Sequence, residues 1–503
     1  FSFELVRNAL VDDVVVVNTK TPDMNTGFGG GAIQVNNKDI PTENFMDLTV
    51  GSAINDQSAG KEFLSRKRGK YDYLGFDDGR RAFPADLKTM SSSSPVEELI
   101  AQTKRFTQDN FTVHRYRAAP AQHYQFTLGR LYPLDDSGQR KFGFTGALSY
   151  RNNQTVNAIE AIRRGNWNTN TEIVAQGRSY DFNTTLGGVL NMGLQLGQHR
   201  LSLRNTYTHV YSNALTRIKG VSSANDFDGQ PEWIREADDP TFTTLLQNKL
   251  SGQHQLGNMK VDWDVARTDI AREQKDIGIA TRTIQLIGKD TIFAYFPNPI
   301  SEARFTPISR QHYSNDEKHY SWNVSASRSF DAGILSNTIK TGYFGTHRRA
   351  RFDWKILPLL KGYAPLDPAL TYIPIGDMLK PENIRADGYL LLLDGWGNDY
   401  YAGESQNHAG YLMLDNRLAN RWRLVWGLRA EYYDYQEIHN GSNSPKQGAY
   451  GAFDLPADKA WQWLPSANLT YSPLGSLNNR AAYSSTVVSP EMKDNSQFFR
   501  YSV

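Results

Sequence analysis

The ten histidines (His114, His123, His199, His209, His254, His312, His319, His347, His408 and His439) never fall four residues apart, the spacing that sets two imidazoles on one helix face for a metal. Cysteine is absent, which excludes thiolate ligands, a thiol nucleophile and disulfides. Asp226, Asp228, Glu232, Glu236, Asp238 and Asp239 gather carboxylates of the kind calcium prefers, but without the spacing of a calcium loop they read as a solvated charge run. The glycines of Gly27-Phe28-Gly29-Gly30-Gly31 would suit a phosphate cradle only if Gly-Lys-Ser/Thr and a helix followed. Neither does, so the cluster reads as a hairpin turn. No Ser/His/Asp set or carboxylate pair converges in sequence, so no enzymatic activity, cofactor or metal is expected.

What remains is binding, and composition narrows it. Lys and Arg number 55 against 53 Asp and Glu, a net charge of +2, which lacks the basic face of a nucleic-acid binder. With 39% hydrophobic and 12% aromatic residues the chain is not disordered. Mean hydropathy is -0.56, and the longest apolar runs, such as Val14 to Val17 and Leu390 to Leu393, are far short of the roughly 18 residues of a spanning helix. Length alone would suggest about three soluble domains.

Periodicity points elsewhere. Trp422, Leu424, Trp426, Leu428, Ala430 and Tyr432 alternate with Arg423, Val425, Gly427, Arg429, Glu431 and Tyr433. Met259, Val261, Trp263 and Val265 alternate with Lys260, Asp262, Asp264 and Ala266; Leu186, Leu190 and Leu194 alternate with Thr185, Asn191 and Gln195. Strands with one greasy face and a second face of Ser, Thr, Asn and Gly fit a wall between lipid and a polar lumen. Tight turns at Gly197-Gln198-His199, Asp331-Ala332-Gly333, Leu418-Ala419-Asn420 and Leu474-Gly475-Ser476 alternate with long excursions near 54–121, 153–180, 213–237, 271–317, 351–405 and 437–460. An up-and-down sheet then carries every short turn at one end and every long loop at the other. Counting from Asn44 to Val488 gives about thirteen strands, each near the length of a membrane strand. Tyr and Trp near strand ends (Tyr124, Tyr132, Tyr320, Trp322, Tyr432, Trp461, Trp463, Tyr471) suit the two interfaces. Ser91 to Ser94 predict a linker or helix cap before a short helix over Val96 to Thr107.

Residues 1–42 differ from the rest. Val14 to Val17 form a continuous apolar strand, followed by Lys20, Pro22, then Gly30, Gly31, Ala32, Ile33, Val35, Asn36 and Lys38. This order resembles the end of the plug domain of TonB-dependent outer-membrane receptors. Gly410 to Asp415, Leu424 to Arg429, Pro465 to Tyr471 and Asn479 to Glu491 resemble barrel segments of that family. Lys61-Glu62-Phe63 with Tyr73 to Gly79 resembles its Bacteroidetes-type members. Thr21, Asn37 and Ser489 depart from the family pattern.

The resemblance implies an all-β transmembrane up-and-down barrel of about 22 strands when complete, with residues 1–42 as the plug's end and 43–503 as an incomplete barrel. It implies an integral protein of a Gram-negative outer membrane, bathed in outer-membrane lipid. There it would bind a scarce siderophore, glycan or peptide and import it with energy from TonB, contacted through a segment upstream of Phe1. A surface lipoprotein is a further candidate partner. The alternative is a non-transporting barrel that scaffolds an outer-membrane complex. Lys260, Asp262, Asp264, Arg423, Arg429 and Glu431 are candidates for exchangeable plug contacts or are simply solvated lumen charges. Loop aromatics (Trp233, Tyr295, Phe296, Tyr363, Tyr372, Trp396, Tyr400, Tyr401) are a candidate stacking platform, with loop packing an equal explanation.

Overall fold

The structure is a computed structural model. It describes residues 11–25, 31–106, 109–164, 173–221, 232–287, 290–295, 308–362, 364–395, 397–419, 421–440, 461–474 and 477–488. A two-stranded hairpin comes first, β1 (Val11–Val17) with β2 (Ala32–Asn37). The wall begins with β3 (Phe45–Ala53). A small antiparallel pair, β4 (Glu62–Ser65) and β5 (His114–Arg117), follows with the helix α1 (Val96–Thr103) between its strands. The wall then continues through β6 (Ala121–Pro133), β7 (Arg140–Arg164), β8 (Ile173–Leu196), β9 (His199–Val221), β10 (Glu232–Leu256) and β11 (Met259–Ile287). After the short β12 (Asp290–Ala294) come β13 (Ile308–Ala332), β14 (Leu335–Lys361), the short β15 (Tyr389–Leu391), β16 (Asn398–Leu418), β17 (Trp422–Asn440), β18 (Gln462–Leu474) and β19 (Leu477–Ser484).

These strands make one fifteen-stranded antiparallel sheet, an up-and-down path from β3 to β19 with β12 and β15 paired off it. Its turns explain the meander. Gly197, Gly257 and Gly333 each hold a φ near +60° at the first position of a two-residue connection, where the right-handed twist of a hairpin calls for a glycine. Ala419 takes the same conformation with a side chain.

Alternation sorts the faces. Met46, Leu48, Val50, Leu148, Leu190, Val265, Val324, Leu412 and Trp426 are exposed on one face. Thr127, Thr145, Asn191, Ser202 and Ser325 are buried on the other. The apolar face carries aromatic pairs near the turns (Tyr132 with Phe142, ring centres 6.2 Å apart; Trp422 with Tyr471, 4.0 Å) and again about ten residues higher (Tyr124 with Tyr150, 5.8 Å; Tyr432 with Trp461, 5.5 Å). Five register pairs set an aromatic ring over a glycine on the next strand: Phe45 over Gly129, Trp233 over Gly220, Trp263 over Gly252, Trp322 over Gly345 and Tyr411 over Gly342. A Cβ at Gly345 would stand 2.4 Å from the Trp322 ring, so these glycines are small to receive the ring.

Strand length departs from expectation. β7 to β14 run 23–29 residues, β12 aside, whereas about 9–11 cross a bilayer. Much of what reads as excursion at 153–180, 213–237, 271–317 and 351–405 is therefore strand continuing upward, because alternation there mixes polar with aromatic residues and hides the period. The helix ends at Thr103, with Pro95 as its cap residue and no side-chain cap, so Ser91 to Ser94 form a turn instead.

The first long connection also lies where sequence gives no hint. Tyr180, Phe182, Thr184 and Leu186 share the face of Leu190, since the β8–β9 register is unbroken. Phe63, Leu64 and Ala118 pack on Tyr180, Phe182, Tyr211 and Phe242 of that face. The connection thus drapes down the outer side of the wall. Farther round, Phe106, Phe111, Tyr295, Ile308, Leu357, Leu359 and Tyr389 close a second buried cluster.

Candidate functional site

The plug-like segment lies on the polar face and touches strands far apart along the sheet. The Lys20 carbonyl accepts from Asn468 Nδ2 (2.9 Å) on β18, and Lys20 Nζ donates to the Ser485 carbonyl (3.3 Å). Pro22 is so close to β17 that a Cβ on Gly427 would stand 3.0 Å from its Cγ. Lys340 Nζ of β14 pairs with Asp23 at 2.6 Å. Farther along, the Lys38 carbonyl accepts from Thr145 Oγ1 (2.8 Å) on β7 and Asn191 Nδ2 (3.1 Å) on β8. Asp39 is fully buried. It accepts from Arg200 and Ser202 of β9, with Arg204 at 4.0 Å. One short segment meets β7 and β18 on a single face, so the sheet curls around it.

Apolar packing is limited to Pro22 against Gly427 and Ile40 and Pro41 against Gly143 and Gly193; the other anchors are polar. Burial would push the Asp39 carboxyl up, but hydrogen bonds from Arg200 and Ser202 and the charges of Arg200 and Arg204 outweigh it and hold Asp39 below the usual carboxylate range. Asp23 behaves alike: burial opposes, while Lys340 and Thr21 win. Burial lowers the Lys20 ammonium, with Glu431 working against the shift and Arg429 with it.

The expected contact residues divide. Arg429 and Glu431 are buried, paired at 2.7 Å, and close enough to act on Lys20. Asn407 Nδ2 donates to Glu431 at 2.6 Å. Asp262 and Asp264 face the hairpin's Asp13 and Asn36 across a cleft of about 340 Å³ that Arg204 and Lys249 also line. Lys249 pairs with Asp264 at 3.2 Å and Lys260 with Asp262 at 3.1 Å. Arg423 is spent on Asp415 at 2.8 Å. Asn36 Nδ2 donates to Asp13 across the hairpin at 2.6 Å. Gly31 has only ordinary contact space, near the Val17 carbonyl. Gly30, the acidic run from Asp226 to Asp228, Phe296, Tyr363, Trp396 and Ser489 to Val503 lie outside the described residues.

No protein-family model matches the chain, and no curated protein matches it. Among solved structures it is similar to the siderophore receptor PiuA from Acinetobacter baumannii, at 11% identity over 94% of this chain and 76% of that one, with a TM-score of 0.25. It is also similar to the outer membrane transporter YddB from Escherichia coli, at 10% identity over 92% and 71%, with a TM-score of 0.14. Superpositions this loose do not establish shared function, and the site stands on its own contacts.

Sequence reading missed Asp39, Asp23 and Lys340. A signal existed for Asp39's partners: Arg200, Ser202 and Arg204 alternate with Leu201 and Leu203, aiming two guanidiniums at the lumen. A second polar group was also missed, on the outer face. Arg81 donates to both Asp72 oxygens (2.9 and 2.7 Å) and to Tyr211 (2.9 Å). Glu236 stands among Arg66, Arg217 and Arg282 at 4.0, 2.9 and 3.7 Å. Among the described residues no group of three or more metal-ligating side chains converges. Above this segment, a cleft of about 570 Å³ is lined by Ala53, Ala121, His123, Ser149, Arg151 and Asn183 among others, a wall of mixed apolar and polar character.

Proposed function

We propose that the chain is an outer-membrane importer of the TonB-dependent receptor type, with residues 1–42 as plug and 43–503 as barrel wall. The supporting observation is the seating of residues 20–23 and 38–41 inside a wall that is apolar outside, chiefly by ion pairs and hydrogen bonds, with Pro22, Ile40 and Pro41 packed on glycines of the wall. The partly exposed polar contacts can be traded for water at small net cost, the buried Asp39 cluster being the costliest to release, whereas a wholly greasy seat would lock the segment. A pull from the periplasmic side then frees the tail and opens the lumen below the cleft. TonB would deliver that pull, since the outer membrane has no ATP of its own. The ligand is a polar solute of the siderophore, glycan or peptide kind.

The cysteine-free chain makes the test clean. Asp39→Cys with Ser202→Cys would tether the tail to β9. Cells depending on this protein are supplied in turn with iron chelates, oligosaccharides and peptides. Growth on one of these should fail in the oxidised double variant, return on reduction, and fail when the TonB complex is deleted. Uptake that ignores both the tether and the deletion refutes energised import.

A further inference from the structure

The segment Tyr71-Asp72-Tyr73-Leu74-Gly75-Phe76 is unusual for a polar connection. Tyr71, Tyr73, Leu74 and Phe76 are all exposed, Leu74 at 54%, yet the backbone beneath them is firmly fixed. Asp72 is buried against Arg81. The Asp72 carbonyl accepts from Thr184 Oγ1 at 3.1 Å, the Tyr73 carbonyl from Tyr150 at 2.8 Å, and the Gly75 carbonyl pairs with His209 Nε2 at 2.7 Å. Phe76 stacks on the His209 ring, centres 4.6 Å apart. Tyr73 is tied back to the wall, its hydroxyl accepting from Arg68 and Gln154 and its ring edge-on to Phe182, so the rigid seat presents Tyr71, Leu74 and Phe76 outward, a device for insertion.

Its height identifies the occupant. His209 stands ten residues above the start of β9, and Tyr150 ten above the start of β7. At about 3.4 Å per residue and a tilt near 40°, both lie about 26 Å above the turns, against an apolar band about 25 Å tall. The turn therefore meets the upper rim of the lipid-facing band. It is on the same face, continuous with exposed Leu148, Leu190 and Tyr207. Beside it Lys67 and Lys70 are exposed, with Lys70 Nζ 5.2 Å from the Tyr71 ring centre.

We propose that residues 71–76 form an anchor in the outer leaflet, with Leu74 and Phe76 entering at the level of the headgroups and Lys67 and Lys70 pairing with anionic lipid headgroups. This rests on the barrel reading, and the test separates the two. Leu74→Cys, Leu48→Cys in the apolar band of β3 and Ser137→Cys at a tight turn each carry a nitroxide label. The full chain is reconstituted in phosphatidylethanolamine–phosphatidylglycerol vesicles, and collision with oxygen is compared with collision with a water-soluble nickel chelate. The labels at 48 and 74 should favour oxygen, and the label at 137 nickel. Replacing phosphatidylglycerol by phosphatidylcholine, or combining Lys67→Glu with Lys70→Glu, should shift position 74 toward nickel while leaving 48 unchanged. A label at 74 as nickel-accessible as 137, with 48 still in lipid, overturns the anchor alone. Shielding of 74 from both reagents means a protein covers it, which also overturns the anchor. A nickel-accessible label at 48 overturns the barrel, and the anchor with it. If neither the lipid replacement nor the charge reversal moves position 74, the pairing with anionic headgroups is wrong.

Discussion

Asp39→Asn isolates the strongest polar anchor of the segment seated on the polar face. The carboxylate is fully buried and receives Arg200 through two nitrogens, Ser202 through its hydroxyl, and the field of Arg204 at 4.0 Å. A hydrogen bond to a charged group is worth about 1.5–3 kcal/mol, and breaking a fully buried pair about 3–5 kcal/mol. Here the Arg200 and Arg204 side chains remain 35% and 31% exposed, so water recovers part of the loss, and asparagine retains one acceptor. About 2 kcal/mol is the balance, or roughly thirtyfold in the equilibrium for local release. Hydrogen exchange of the reconstituted protein, followed by mass spectrometry, reads that equilibrium where opening is local. Peptides covering 32–42 should exchange roughly thirtyfold faster in the variant, with β8 and β9 above the contact unchanged. A rise below about threefold, or an equal rise through β9, would show that Asp39 does not hold the tail and refute the reasoning.

Four further outcomes follow from the same geometry. Asp23→Asn should raise exchange at 20–25 only about threefold, because Asp23 and Lys340 keep a quarter of their surface in water. The depressed folded-state values of Asp23 and Asp39 mean their anchoring is intact above the unfolded carboxylate value of about 3.9 and lost as pH falls below it; protection of 20–42 should hold from neutral pH to about 4 and collapse at lower pH, and earlier collapse would contradict the shift. Gly345→Ala should destabilise by about 1–3 kcal/mol, since Trp322 must vacate its seat, read as a lower temperature for loss of the compact band on a denaturing gel. Ala419→Gly should stabilise by about 1 kcal/mol by relieving the left-handed alanine, in the same assay.

The strand path was legible because half of each residue pair was apolar. Trp422 to Tyr433 and Met259 to Ala266 carry a period of two that no helix shares, and glycine at 197 and 333 marks the reversals. Above the band this contrast vanishes. Tyr180, Phe182 and Tyr211 are covered by the first connection while their polar neighbours also find partners, so strand reads as loop. The site was legible only in part: Lys20, Pro22 and Lys38 stood out by resemblance, whereas Asp39 and Lys340 acquire meaning only when the sheet curls and joins positions hundreds of residues apart. Arg423 shows the converse, a lumen-side charge of promising type that its neighbour Asp415 already occupies.

That long-range seating bears on how the chain is assembled. Synthesis delivers residues 20–41 well before two of their partners, Asn468 and Ser485, at sequence separations of 448 and 465. Until then Lys20 must survive without these two partners, and Asp23 without Lys340 until β14 is made, which a charged and hydrated segment does readily and a greasy one would not. The polarity of the tail thus also serves biogenesis: the tail can wait in water until β18 and Ser485 are in place to receive it.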